Sequence, residues 1–122
     1  MTSGVARTIG ILTGGGDCPG LNAVIRAVVR ASDAEGWDCV GVLEGWRGLV
    51  DGRYGDLGPQ QVSGILPRGG TIIGTSRTNP FRLDGGVEKV LRNFEDRSLD
   101  ALVAIGGEDT LGVAHRLEGE GV

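Results

Sequence analysis

The chain has 122 residues, 24 of them glycine, with a formal net charge of −4 and a hydrophobic share of 39%. Glycine ordinarily makes up about 7% of a protein, but the Val/Ile/Leu clusters and the lack of a Gly-X-Y period exclude a collagen-like or disordered chain. The acidic balance argues against nucleic acid as a partner. The longest purely apolar run, Ala101 to Ile105, is too short to span a membrane, and the start MTSGVART lacks the apolar core of a signal peptide. A cytoplasmic domain with no membrane partner is expected.

In chain order, Thr8 to Thr13 (TIGILT) reads as a strand buried on both faces. It runs into GGGDCPG (Gly14–Gly20), a sharp turn. Leu21, Val24, Ile25, Val28 and Val29 then recur at helical spacing, with Asp17 as a possible cap, Pro19 suited to a first helical position and Gly36 as a stop. Asp38 to Leu43 is a second strand, so the opening forms a right-handed βαβ unit. From Glu44 to Gly58 turn signals predominate, with room for a small hairpin. Gln60 to Leu66 suggests a short helix, and Arg68 to Arg77 (RGGTIIGTSR) a brief strand between two turns. A helix is predicted from Gly86 to Arg97, a third buried strand from Ala101 to Ile105, and a last helix opened by GGEDT (Gly106–Thr110) and running through Ala114 and Leu117. Alternating strands and helices predict an α/β domain with a mostly parallel sheet. Ligands of such sheets bind beyond the carboxyl ends of the strands. The turns Gly14–Pro19, Gly74–Arg77 and Gly106–Thr110 meet there if their strands are neighbours.

The chemistry-bearing residues lie in those turns. GGGDCPG leaves backbone N–H groups free at a helix N-terminus, an anion site by construction. It is neither a Rossmann fingerprint, since Pro19 stands at the third glycine's place, nor a P-loop, since Leu21 and Asn22 stand where Lys and Ser/Thr are required. A tight turn without a ligand is the alternative. In GGEDT, Glu108 and Asp109 either complement the helix dipole or hold Mg²⁺ together with ligand phosphates. Arg77, at the end of GTSR, is either a solvated surface residue or a cation for phosphoryl oxygens. Arginine dominates the positive charges, with 11 Arg against the single Lys89, and its planar fork suits phosphate. Arg26 and Arg30 either bind an anion or coat the outer face of the first helix. His115 reads as structural, and Cys18 and Cys39 as free thiols.

The segments IGILTGGGDCPGLNAVIRAVVR, EGWRGL, RGGTIIGTSR and DALVAIGGEDT, in this order between about Thr8 and Leu117, closely resemble the N-terminal half of the 6-phosphofructokinase family. That resemblance implies a three-layer Rossmann-like domain, and residues 1–122 as a single, incomplete donor-binding domain. It implies phosphorylation of fructose 6-phosphate to fructose 1,6-bisphosphate in glycolysis, with Mg²⁺ and a phosphoryl donor, pyrophosphate or ATP. By the same resemblance Gly15 lies over the donor, Arg77 and Thr78 contact it, and Gly107, Glu108, Asp109 and Thr110 hold its phosphates. Glu108 is then the metal ligand, and Arg77 and Asp109 the candidate catalytic residues. Trp46 takes the place of an aromatic or large residue near the donor site. Arg26, Arg30 and Arg53 match positions that bind allosteric effectors in some bacterial members.

Two departures from the commonest pattern bear on the donor. Glu108 replaces Asp, as in the actinobacterial branch. Asp109 replaces the Gly of ATP-using members, and a carboxylate there repels the α-phosphate of ATP. The resemblance therefore favours pyrophosphate, with ATP as the alternative. The family's catalytic base lies in a TIDND segment absent from these residues, so the chain is expected to be an N-terminal fragment with negligible turnover. A full-length form would be a homo-oligomer. An NAD-kinase-like domain explains neither GGGDCPGLN nor RGGTIIGTSR, and a non-catalytic phosphate-binding fragment is the rival from another class.

Overall fold

The computed structural model describes residues 7–14, 20–65 and 71–120. Four strands form one sheet in the order β3-β2-β1-β4: β1 (Thr8–Thr13), β2 (Asp38–Val42), β3 (Tyr54–Asp56) and β4 (Ala101–Ile105). Strand β1 pairs in parallel with β2, Ile11 opposite Gly41, and with β4, Thr13 opposite Ile105. Strand β3 runs antiparallel to β2.

Alternation along β1 decides the layers. Ile9 and Ile11 enter one core with Ile25 and Val29 of helix α1 (Leu21–Ala34) and with Leu57, Val62, Ile65 and Ile73. Leu12 enters a second core with residues of α2 (Trp46–Asp51), α3 (Gly86–Asp96) and α4 (Glu108–Gly119). Helix α1 thus covers one face of the sheet and the other three helices the opposite face, giving the expected three layers. Among the described residues no helix is long and apolar enough to cross a membrane.

The strands at Thr8 and Ala101 and the helices α1, α3 and α4 follow the periodic pattern of the sequence. Gly36, with φ of +75°, ends α1 as expected. Asp17 and Pro19, the expected cap and first-turn residues, lie outside the described residues. The expected buried strand Ala101–Ile105 is instead half-exposed, because among the described residues it pairs with β1 alone and leaves its other edge open.

Between β2 and α3 the differences are larger. The turn-rich stretch after Glu44 contains α2, which the turn signals there do not predict. Trp46, Leu49 and Val50 bury against α3 and α4, and Asn93 Nδ2 donates to the carbonyls of Leu49 and Val50 at 2.9 Å each. Tertiary contacts thereby offset the poor helix propensity of Gly48. The hairpin expected within Glu44–Gly58 does not form: that stretch holds the single strand β3, which pairs antiparallel with β2 across α2. Gln60–Ile65 is a series of turns rather than a helix, with Ser63 N–H bonding Gln60 and Ile65 N–H bonding Val62. Leu66, the last residue of the expected helix, lies outside the described residues.

The expected strand within Arg68–Arg77 is absent from residues 71–77. Both β1 and β2 already have two neighbours, so no inner ladder position is open to it. Its backbone bonds go to other partners. Ile72 N–H donates to Asn22 Oδ1 at 2.9 Å, and Ile73 C=O accepts from Glu44 N–H at 2.8 Å.

Candidate functional site

Parallel strands carry their carboxyl ends to one rim. Gly14 N–H extends the β1–β4 ladder one residue further, donating to Ile105 C=O at 2.9 Å. The chains emerging from the two strands then touch. A Cβ on Gly106 would lie 2.5 Å from the carbonyl oxygen of Gly14, and a Cβ on Gly14 would overlap the Thr110 hydroxyl. Glycine at both positions lets the two turns share the rim.

The third turn is drawn in by Thr13. Its side chain is fully buried, and its hydroxyl lies 2.9 Å from Gly74 C=O and 2.8 Å from the Thr71 hydroxyl. With Asn22 on Ile72, this substitutes side-chain bonds for a strand ladder and fixes the segment leading to Arg77. A Thr13→Val variant keeps the shape and removes the hydroxyl, leaving the Gly74 carbonyl without this donor. It is expected to lose about 1–3 kcal/mol in thermal denaturation, with Thr13→Ser recovering most of it.

These contacts frame an open groove of about 930 Å³. It is lined by Thr75, Ser76, Arg77, Thr78, Asn79 and Arg82 from the third turn and its continuation. Glu108, Asp109, Thr110, Gly112, Val113 and Arg116 line it from α4, and Trp46 from α2. Glu108 and Asp109 occupy the first turn of α4, where the positive end of the helix dipole favours carboxylates. Arg77, Arg82 and Arg116 face them with the opposite charge. The Arg116 guanidinium stacks on Phe81, 3.8 Å from the ring centroid, a contact that holds the cation without neutralising it.

Arg77, Thr78, Glu108, Asp109 and Thr110 therefore come together. Gly107 is the N-cap of α4, exposed, and outside the groove's lining. Gly15 lies outside the described residues. His115 is exposed and lines no part of the groove. Arg26 and Arg30 belong to α1, on the other face of the sheet, and Arg53 is ion-paired with Glu44. Ser76, Asn79, Arg82 and Arg116 were not singled out from the sequence. The spacing of Arg116 from Asp109, two turns along one helix face, is the signal that would have found one of them.

Among the described residues no group of three or more His, Cys, Asp or Glu side chains is placed to hold a metal. Two adjacent carboxylates at a groove with arginines fit a hard cation that keeps several waters and takes its other oxygens from a phosphate ligand. They do not fit a closed protein cage.

A smaller cavity of about 360 Å³ lies at the opposite ends of β1 and β2, lined by Asp33, Asp38, Asp56 and Arg97 among others. It includes the half-buried Cys39, a free thiol as expected; Cys18 lies outside the described residues. Burial pushes the Cys39 thiol above its ordinary pKa, with Asp38 and Asp33 adding to the rise and a hydrogen bond from Ser32 opposing it. Among the described residues, none of the expected donor-site residues lines this cavity.

The family model described as Phosphofructokinase matches residues 8–122. A pyrophosphate–fructose 6-phosphate 1-phosphotransferase of Amycolatopsis methanolica is 59% identical over 115 residues, covering 93% of this chain and 34% of the relative. ATP-dependent 6-phosphofructokinase 3 of Streptomyces coelicolor is 50% identical over 115 residues, with the same shares of 93% and 34%. The crystal structure of Pichia pastoris phosphofructokinase in the T-state superimposes with a TM-score of 0.89 at 40% identity, over 98% of this chain and 14% of that one. The chain spans about a third of the length of the curated relatives it matches. A family match that begins at the first strand and takes in all three convergent turns places the chain in the phosphofructokinase family.

Proposed function

We propose that residues 1–122 form the phosphoryl-donor domain of a pyrophosphate–fructose 6-phosphate 1-phosphotransferase, acting in cytoplasmic glycolysis as part of a homo-oligomer. The observation that carries this reading is that Arg77 and the adjacent pair Glu108–Asp109, distant from it in sequence, line one groove at the carboxyl ends of β1 and β4. The 59% identity to a pyrophosphate-dependent relative supports the donor.

In phosphoryl transfer the protein mainly positions groups and offsets charge. Arg77, with Thr78, grips the phosphoryl oxygens, and its guanidinium opposes the charge that builds on them as the phosphoryl group leaves. Thr110 and Gly107 present the start of α4 to the donor. Glu108 is the residue to hold Mg²⁺, which when bound neutralises part of the diphosphate charge. Asp109 sets the donor: its carboxylate leaves room for a compact diphosphate but opposes the further phosphate of a nucleotide. Allosteric control through Arg26 and Arg30 would act from the other face of the sheet.

An ATP-dependent enzyme is the second reading, favoured by the 50% identity to an ATP-dependent relative. Calorimetric titration of the chain with pyrophosphate and with ATP, each with Mg²⁺, separates the two. Pyrophosphate is expected to bind at least about tenfold more tightly than ATP, and Asp109→Gly to improve ATP binding about tenfold by removing one like charge. Tighter binding of ATP by the unmodified chain would overturn the donor assignment.

A further inference from the structure

Among the described residues only Glu44 and Ser98 hold a positive φ without being glycine, each at +59°. Ser98 follows the last turn of α3, where a left-handed residue is a common helix ending. Glu44 ends no helix. Its N–H donates to Ile73 C=O at 2.8 Å, and a Cβ on Gly74, itself at φ +77°, would come 3.7 Å from Glu44 Cα. A Cβ on the next residue, Gly45, would lie 2.8 Å from Thr13 C=O and 3.4 Å from Ser76 N. Two chain segments therefore cross here in close contact, one leading to Trp46 and the other to Arg77, both of which line the groove.

Glycine at position 44 would meet this backbone demand without strain. What glutamate adds is a carboxylate, and that carboxylate is paired with the Arg53 guanidinium. Arg53 also closes the loop that holds α2, its C=O accepting from Leu43 N–H at 3.1 Å. Both side chains of the pair are about half exposed, so the pair adds little to folding stability. The left-handed backbone takes at least as much away. Strain kept without a gain in stability marks a functional constraint. We propose that Glu44 is a positioning residue for the phosphoryl donor. Its carboxylate on Arg53 and its N–H on Ile73 clamp the α2 loop to residues 73–77, which fixes the spacing between the Trp46 and Arg77 sides of the groove. The inference rests on the reading of the groove as a pyrophosphate site, and Glu44 itself lines no part of it.

Glu44→Gly keeps the turn and removes the side chain of the clamp. It is expected to melt at the temperature of the unmodified chain or a few degrees higher, yet to bind pyrophosphate with Mg²⁺ about fivefold more weakly in calorimetry. A merely structural residue would not separate the two, because affinity would fall only with stability. Arg53→Met is expected to weaken binding by the same factor, and Arg53→Met added to Glu44→Gly to weaken it no further. Unchanged affinity in Glu44→Gly, affinity and stability falling together, or additive losses in the double variant would overturn the inference and leave the pyrophosphate site standing. No binding of pyrophosphate by the unmodified chain would overturn both.

Discussion

Replacing Gly106 by alanine is expected to cost about 2–4 kcal/mol and to lower the melting temperature by roughly 10 °C, among the largest effects of any single substitution at the rim. The reason is the identity of the atom in the way. The added methyl would sit 2.5 Å from the main-chain oxygen of Gly14, and a backbone atom, unlike the end of a side chain, cannot swing aside. Moving it pulls on the Gly14 N–H bond to Ile105 and on the last pair of the β1–β4 ladder, Thr13 opposite Ile105. The same displacement separates the turns that make the groove, so pyrophosphate affinity should fall along with stability. Gly112→Ala supplies the comparison. It lies in the interior of α4 with no atom within 4 Å of the new methyl, and a helical Gly→Ala exchange without a clash stabilises by about 0.5–1 kcal/mol. A loss of stability at Gly112 equal to that at Gly106 would remove the clash as the explanation.

Arg77→Ala is expected to weaken pyrophosphate binding by about 10- to 100-fold, the range that follows from losing a charge-assisted, forked contact to phosphate. Arg77→Lys should recover only part of that, because an ammonium restores the charge without the paired donors. The guanidinium is exposed in the free protein, so its loss should leave the folding stability within about 0.5 kcal/mol of the original. It should also make binding less sensitive to salt, since exposed charges are screened within roughly 10 Å at 0.1 M ionic strength. Loss of affinity together with loss of stability would instead point to a structural Arg77.

The contrast between these two residues shows what a sequence of this kind discloses. Thr8–Thr13, the α1 stripe from Leu21 to Val29, and Ala101–Ile105 with the helix that follows are legible because each repeats a regular spacing of apolar residues. The placement of Gly14, Gly106 and the pair Glu108–Asp109 at one rim is legible because each directly follows a parallel strand at its carboxyl end. Helix α2 is not, because its stability comes from Asn93 and the packing of Leu49 and Val50, contacts about forty residues away in the chain. The path of residues 71–77 is likewise set by two isolated polar side chains, Thr13 and Asn22, each embedded in an apolar pattern that conceals its role. Arg82 and Arg116 reach the groove only through the placement of Pro80–Arg82 against α4 and the stack on Phe81. The half-exposure of β4 depends on what lies beside it in space, which no local pattern records.

That the turns at residues 75–78 and 107–110, together with Trp46, form one anion site is tested most directly by mapping backbone amide shifts as Mg²⁺ and pyrophosphate are added to the ¹⁵N-labelled chain. Perturbations are predicted at residues 75–78, at residues 107–110 and around Trp46, saturating together with one dissociation constant, while α1 and β3 stay unchanged. Shifts confined to one of these segments, or segments saturating at different pyrophosphate concentrations, would contradict a single site.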